Sequence, residues 1–401
     1  MGFIRELSEK FTLYFRYRIL PHTAIINRFF LKKGYNLVGY FDAPIGIAEV
    51  GRQCFLDMKT LPDLSCCILN YDSGLHEKLG YCEQAPYKAS VSDKYLHNKN
   101  IFFTNADGIA YFIEKNVPKN KGYYNIGVFW WELEDYFYFD KGVNVVNEIY
   151  VFSDFIKKSI LKSYPNKKVT KFSFPYTIPN YELAPVQTVR DRYGVRSDDF
   201  LFFFNFDFHS VYERKNPEGL LRAFSMAFKD NKKVKLLFKT IHSGVDNENY
   251  IKLSSLINEL TLNDQVVFED GNLEKVEFMN LLNSSDSYVS LHRSEGLGIG
   301  MMEAMFMKKP VIATAYGGNM EFTTTDTALL VDYKIVEIEK DNDPYKKGYK
   351  WAEPNIEDAA AKMFLIFNSS ETRDRLAEKG YDFVIRNHTK GVFAAKLKSL
   401  K

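Results

Sequence analysis

The stretch SLHRSEGLGIGMMEAM, Ser290 to Met305, decides how this chain is read. It leaves a short apolar strand, Ser287 to Leu291, crosses a loop with glycines at 296, 298 and 300, and enters an apolar helix near Gly300 to Met307. The first N–H groups of a helix have no partner inside it and the helix dipole is positive there, so such a loop can hold an anion by main chain alone. It is not the dinucleotide fingerprint, because G-x-G-x-G lacks the G-x-G-x-x-G spacing and lies far from the first βα unit. Glu295 and Glu303 bracket the loop eight residues apart. That is close to two helical turns, so both carboxylates fall near one face, where they suit the hydroxyls of a sugar ring and a ribose. An acidic residue that merely complements a helix dipole has the same local appearance, so the surroundings must decide.

Working outward, strand-like runs at Phe200 to Phe206, Val234 to Lys239, Gln265 to Glu269 and Pro310 to Thr314 alternate with helical segments near Pro217 to Lys229, Tyr250 to Leu260 and Glu274 to Leu282. The first run is apolar throughout, as expected of a strand buried on both faces of a parallel sheet. An equivalent alternation fills the first half, with strands expected at Tyr35 to Phe41, Leu64 to Asn70, Ile101 to Thr104, Tyr124 to Trp130, Glu148 to Phe152 and Lys171 to Phe174, and a helix starting near Ser153. Strand, helix, strand in this order implies an α/β chain with parallel sheets. Pro175, Pro179 and Pro185 rule out a continuous helix between the halves and mark the crossing. The expectation is two Rossmann-like, doubly wound parallel-sheet domains facing a cleft, at 34–180 and 181–375. A basic amphipathic segment, 1–33, precedes them, and 376–401 should form C-terminal helices able to pack back on the first domain. The helical period over 355–400 is expected to break at Gly380 and Gly391.

Arg214-Lys215-Asn216-Pro217 follows the first strand of the second half, and Lys239 ends the second. Each alone reads as an ordinary surface charge. Together they share with the glycine loop the carboxyl ends of parallel strands, where open α/β sheets bind ligands, and they could reach one diphosphate.

These residues resemble the retaining glycosyltransferases of the two-Rossmann-domain type, GT-B, and particularly glycosyltransferase family 4. The resemblance rests on E-x7-E at Glu295 and Glu303, Lys309-Pro310-Val311 after it, Gly317-Gly318-Asn319-Met320-Glu321-Phe322, and Gly46-Ile47-Ala48-Glu49 in the first half. Trp130-Trp131-Glu132-Leu133-Glu134 with Val151-Phe152-Ser153 is similar to a subgroup that builds bacterial surface polysaccharides. The resemblance implies catalytic roles for Glu295, Lys215, Lys239 and Glu132, and donor binding by Gly46, Arg214, Gly296, Leu297, Gly298, Ile299 and Glu303. Glu295 would hold donor-sugar hydroxyls, Glu303 the ribose, and the two lysines the diphosphate. Two departures stand out. Phe204-Asn205 replaces the family's glycine-arginine pair, leaving that basic contact absent or supplied by Arg214, and Trp131-Glu132 stands where many members carry a histidine. The resemblance implies no cofactor beyond a nucleoside-diphosphate sugar as co-substrate, a glycan or lipid-linked glycan acceptor, and transfer with retention. A sugar-nucleotide epimerase and a catalytically silent donor-binding subunit are the rival readings.

The composition sets limits. In 401 residues, 53 Lys and Arg face 51 Asp and Glu, so the net charge of +2 supplies no field for nucleic-acid binding. Cys54, Cys66, Cys67 and Cys82 match no zinc module and are expected as reduced thiols of a cytoplasmic protein. No metal is expected. Asp341-Asn342-Asp343 reads as a solvated loop despite its D-x-D form, and His209, His242 and His292 as surface or supporting residues. No apolar run is long enough to cross a membrane. Within residues 1–33, however, seven basic residues face Glu6 and Glu9 beside an apolar stripe of Phe3, Ile4, Leu7, Phe11, Tyr14 and Phe15. This suits either a helix packed on the first domain or peripheral binding to an anionic membrane, at the inner face of the cytoplasmic membrane.

Overall fold

The computed structural model describes residues 31–43, 45–71, 86–117, 122–136, 140–177, 181–244 and 247–400. The first sheet contains six parallel strands, β1 (Lys32–Gly39), β2 (Cys66–Asn70), β3 (His97–Phe103), β4 (Tyr124–Val128), β5 (Glu148–Val151) and β6 (Val169–Lys171), in the order β2-β1-β3-β4-β5-β6. Its helices are α1 (Gly46–Met58), α2 (Ala106–Asn116), α3 (Asp140–Val145) and α4 (Asp154–Ser163). After the crossing and a short α5 (Val186–Asp191), the second sheet contains β7 (Phe200–Asp207), β8 (Val234–Ile241), β9 (Val266–Asp270), β10 (Ser287–Ser290), β11 (Val311–Thr314) and β12 (Leu329–Val331), ordered β12-β11-β10-β7-β8-β9. Between them run α6 (Tyr212–Lys215), α7 (Pro217–Phe228), α8 (Glu248–Glu259), α9 (Lys275–Ser284) and α10 (Ile299–Phe306). An antiparallel hairpin, β13 (Tyr333–Glu337) and β14 (Lys350–Pro354), leads into α11 (Ile356–Asn368), α12 (Ser370–Asn387) and α13 (Val392–Ser399).

The doubly wound architecture expected from the alternation is present twice. Strand β7 shows why its sequence is so uniformly apolar: it pairs with β8 on one side and β10 on the other, and its two faces meet different helices. Phe202 packs on Phe224 and Phe228 of α7, while Phe203 meets Phe278 of α9. Helix α7 starts at Asn216, whose left-handed backbone (φ 53°) and side chain accepting from Gly219 N cap the helix ahead of Pro217. The Asn216 amide also donates to Leu291 O at 2.9 Å, tying the Arg-Lys-Asn-Pro run to the end of β10.

Some local expectations differ from the structure. β1 begins at Lys32, so two basic residues assigned to the N-terminal segment belong to a strand; the rest of that segment, 1–30, lies outside the described residues, as do Cys82 and Pro179. Gly380 does not end a helix. It lies inside α12, where a Cβ would come 3.1 Å from Met305 Cγ, and the bare backbone lets α12 settle on α10. Gly391 does separate helices, at φ 98°. Asp341 and Asp343 are exposed in the loop between β13 and β14, as expected of a solvated loop, while the two hairpin strands themselves were not anticipated. Helix α13 packs on the first domain: Asp57 of α1 accepts from Gly391 N and Ala394 N, and Phe393 meets Phe152 and Phe172.

In each sheet the strand order reverses direction at one place, between β1 and β3 and between β7 and β10. The loops leaving these switch points diverge and open a crevice, the usual ligand position in open α/β sheets.

Candidate functional site

Both crevices open on one cavity of about 420 Å³. The first domain contributes Gly46 after β1, Asn105 after β3, and Trp130 and Glu132 after β4; the second contributes Arg214 and Lys215 after β7 and the loop 295–301 after β10. Glu295, Lys215, Glu132, Gly46, Arg214, Gly296, Leu297, Gly298 and Ile299 therefore line a single space. Lys239 and Glu303 line an adjoining cavity of about 370 Å³ that shares Gly46, Asn205 and Lys215 with it.

Packing explains the loop glycines. A Cβ on Gly296 would lie 2.9 Å from Trp131 O, and one on Gly318 would meet Gly296 O at 1.7 Å, so the loop fits between the facing domain and the 317–318 turn only without side chains. Gly298 caps α10 with a left-handed backbone (φ 84°). Gly300 leaves room for Tyr288 Oη to donate to Asn205 Oδ1 at 2.8 Å. Asn205 stands where the sequence departs from the glycine-arginine pair of the family it resembles, and Arg214 lines the cavity.

Arg214 Nη1 donates to Ser294 O at 2.8 Å and lies 3.2 Å from Glu295 Oε1; Lys215 Nζ bonds the same carboxylate oxygen. Burial alone would raise the Glu295 carboxyl, but Lys215 and Arg214 outweigh it and hold it at about 2. Glu295 is thus a permanent acceptor near neutral pH. Arg214 Nε is buried and has no hydrogen-bond partner among the described residues. In the second cavity Glu303 accepts from Tyr176 Oη and pairs with Lys275 Nζ. Burial opposes the Lys275 charge, yet Glu303, Tyr176 and Glu49 keep its ammonium well above the ordinary lysine range. Lys239 is buried with its ammonium turned to the carbonyls of Thr240, at 2.7 Å, and Gly271, and burial pushes its pKa down.

Glu132 stands at the first-domain wall. Its Oε2 accepts from Tyr345 Oη at 2.7 Å, and its backbone carbonyl accepts from Ser294 Oγ. Ser153, which caps α4, also donates to Gly296 O at 2.8 Å, and Glu321 bonds Asp154 N and Lys171 Nζ, so the glycine loop and the turn behind it are fastened to the first domain.

His292 is buried, with Nδ1 at 3.0 Å from Ser290 Oγ and Nε2 at 3.1 Å from both Tyr316 O and Asn319 Oδ1. Both nitrogens are engaged, and it braces β10 against the 316–319 turn. His209 and His242 stack at 3.8 Å beside Asp207, and the ligand-capable atoms of the three lie within 4.8 Å of one another. Asp343 pairs with Lys346 at 3.1 Å. Cys54 and Cys67 are buried free thiols.

Sequence reading missed Tyr176, Lys275 and Tyr345. Lys275 follows β9 at the start of α9, so the strand-end rule that singled out Lys239 would also have found it. Tyr176 and Tyr345 carry no local signal, since each reaches the site from a distant part of the chain.

Residues 190–383 match the family model described as Glycosyl transferases group 1. None of the curated proteins matches the chain. Among solved structures, a mutant of Staphylococcus aureus TarM in complex with fondaparinux, alpha-GlcNAc-glycerol and UDP superposes with a TM-score of 0.55 at 16% identity, over 78% of this chain and 57% of that one. The chain thus spans little more than half the length of TarM. Anabaena HepE in complex with UDP-glucose gives 0.66 at 14% identity over 92% and 99%. Sucrose-phosphate synthase from Thermosynechococcus elongatus gives 0.64 at 14% identity over 92% and 98%. No helix among the described residues is long and apolar enough to cross a membrane. With two parallel six-stranded sheets across one cleft and a group 1 glycosyl transferase match over the second, the chain has the GT-B glycosyltransferase architecture.

Proposed function

We propose that this chain is a glycosyltransferase that moves a sugar from a nucleoside-diphosphate sugar to a hydroxyl of a glycan or lipid-linked glycan, with retention of anomeric configuration, in bacterial polysaccharide biosynthesis. One observation carries the reading: the Arg214-Lys215 pair, Glu295 and the glycine loop converge at the switch point of the second sheet and face the first domain across one open cavity. As the sugar–phosphate bond breaks, charge accumulates on the departing diphosphate and the sugar becomes oxocarbenium-like. Lys215, Arg214 and the loop amides face the first charge, and the Glu295 carboxylate, ionised throughout, orients hydroxyls beside the second. Glu303 would accept from ribose hydroxyls in the adjoining cavity. Positive charge from these side chains and amides is the reason to propose independence of a divalent ion.

The epimerase reading needs a group that gains and loses a proton at the sugar. Glu295 is locked in its ionised form and His292 has both nitrogens engaged, which favours transfer. The decisive experiment incubates the protein with a panel of nucleotide sugars, with and without crude lipid-linked glycan, and follows nucleotide release and product configuration by NMR. Acceptor-dependent release with retained configuration is expected and should survive excess chelator. Isomerised donor would establish the epimerase, and binding without turnover the silent subunit. Inverted product would make Glu132 the base that deprotonates the acceptor. Loss of activity on chelation, restored by a divalent ion, would direct attention to Asp207, His209 and His242. The basic residues of 1–33 further support peripheral attachment to an anionic membrane, tested by cosedimentation with anionic vesicles with and without residues 1–20.

A further inference from the structure

The loops that leave β7 and β8 bring Asp207, His209 and His242 together. One ligand-capable atom of each, an imidazole nitrogen or a carboxylate oxygen, lies within 4.8 Å of the other two. The imidazoles stack at 3.8 Å with their planes 9° apart, and Asp207 Oδ1 lies 2.8 Å from His242 Nδ1 while accepting from His209 N at 2.8 Å. Both loops are held in place. Phe208, between Asp207 and His209, is buried and stacks on Tyr212, which fixes the turn. On the other loop Asp270 accepts from Thr240 Oγ1 and Ser243 Oγ, and Asn247 Nδ2 donates to His242 O at 3.0 Å. His242 itself has left-handed backbone (φ 60°), which a non-glycine residue keeps only where its surroundings impose it. Among the described residues the Asp207 carboxylate pairs with no lysine or arginine; Lys239 of β8 turns its ammonium to the carbonyls of Thr240 and Gly271 instead.

We propose that Asp207, His209 and His242 form a binding site for a divalent transition-metal ion of the zinc class, which clips the loop after β7 to the loop after β8. Two imidazoles and one carboxylate are a donor set that such ions take, whereas magnesium and calcium are held by oxygen ligands. Ligand atoms about 2.0 Å from a tetrahedral ion stand roughly 3.3 Å from one another. The Asp207–His242 pair is already that close, and His209 and His242 are exposed, so rotation of their side chains brings the third ligand in. Three protein ligands leave a fourth position for water. None of the three lines the central cavity; Asp207 lines the adjoining one, and His209 a smaller one of about 240 Å³. The ion therefore sits at the rim of the cleft, and its effect is to fix the two loops rather than to stabilise a leaving group.

The test follows zinc binding by the untagged, chelator-stripped full chain, with a chromogenic chelator as competitor and thermal denaturation as a second readout. A single Zn²⁺ should bind and raise the Tm, because an ion that binds the folded chain stabilises it, and Mg²⁺ at the same concentration should do neither. His209→Ala and His242→Ala should each weaken zinc binding at least about tenfold, and the double variant should lose the Tm rise. Both side chains are exposed, so their removal spares the core. Co²⁺ adds a check that does not depend on stability: the visible absorption it gains on binding should disappear in the double variant. Zinc affinity unchanged in the double variant overturns the assignment, since the metal then sits elsewhere on the chain, and so does a parent chain that binds no zinc. Every readout is of binding, so neither failure touches the transferase reading, and a chain without transferase activity leaves the metal site standing.

Discussion

The two walls of the cleft are built differently. On the second domain, the chemistry sits in two short runs, 214–217 and 295–303, which leave neighbouring strands at a switch point, and Arg214 and Lys215 of the first share the Glu295 carboxylate of the second. On the first domain, Gly46, Asn105, Trp130 and Glu132 arrive from three separate loops, and Glu132 is oriented by Tyr345, 213 positions away. The charges of the donor wall are therefore paired within its own domain, although Ser153 and the Glu132 carbonyl fasten its loop to the first domain, whereas the Glu132 carboxylate of the opposite wall is oriented only by contact with the second. Substitutions on the donor wall should then disturb folding and turnover together, and those on the other wall turnover alone.

The largest effect is expected at Glu295. From sequence, Glu295→Ala removes only an orienting contact and leaves folding intact. In the structure it also strips the carboxylate from the buried Arg214 and the half-buried Lys215, so a turnover loss of at least about a hundredfold should come with a stability loss of about 3 kcal/mol. Steady-state kinetics and chemical denaturation check the two arms, and Glu295→Gln should recover part of the stability without the activity. A fully stable, fully active Glu295→Ala protein would falsify the donor-wall assignment.

Next comes Glu132. Its carboxylate is bonded to Tyr345 and lines the cavity, and among the described residues no cation hydrogen-bonds it. Glu132→Gln should lower kcat by between about ten and a hundredfold, with donor KM and denaturation midpoint nearly unchanged. A loss confined to KM would move Glu132 from the reacting centre to donor binding.

The same contrast explains what the sequence made legible. The central strands were readable because they are contiguous apolar runs buried on both faces, as in Phe200 to Phe206, whereas the short edge strands lack that signature: β6, Val-Thr-Lys, lies ahead of the run expected at 171–174, and β12, Leu329–Val331, was not anticipated. The glycine loop was readable because its glycines, carboxylates and strand end are adjacent. The hairpin was not, since β13 is largely exposed and charged, Tyr-Lys-Ile-Val-Glu, with too little apolar alternation to separate it from a loop. Gly380 misled because glycine in a helix is ordinarily a weakness, and only the proximity of Met305 shows what its bare backbone permits. Tyr176 and Tyr345 become site residues only through tertiary contact.

Lys215 and Lys239 give a smaller effect and a sharper distinction. Sequence reading puts both on one diphosphate; in the structure both line the adjoining cavity, Lys215 lining the central one too with its ammonium on Glu295, while the Lys239 ammonium lies on two backbone carbonyls. Lys215→Ala should raise donor KM by about tenfold or more and Lys239→Ala by less. If both act on the same phosphates, the double variant loses less than the sum of the singles. Strict additivity would leave Lys239 as an anchor of the 240–271 loops, and the donor wall would then rest on 214–217 and 295–303 alone.

The smallest effect tests how the chain's end braces the Glu303 side of the donor wall. His388, between α12 and α13, is buried. Its Nδ1 lies 3.3 Å from Phe174 O and its own carbonyl accepts from Tyr176 N at 2.7 Å. It thereby fixes the backbone of Tyr176, whose hydroxyl bonds Glu303. Burial holds the imidazole at about 4, below its usual 6.5, despite the Phe174 carbonyl, and Lys171 adds to the depression. Between those values the unfolded chain binds a proton that the folded one does not, so stability is full above about 6.5 and falls as the pH drops toward 4. Acidification from pH 7.5 to 5.5 should cost about 1 kcal/mol through this residue, by the linkage between the two values. His97 and His292 are also depressed by burial and act in the same direction, so His388→Asn should flatten the dependence without abolishing it. Denaturant midpoints measured at the two pH values for both proteins decide the matter: an unchanged slope in His388→Asn would mean that this imidazole already titrates as it does in the unfolded chain.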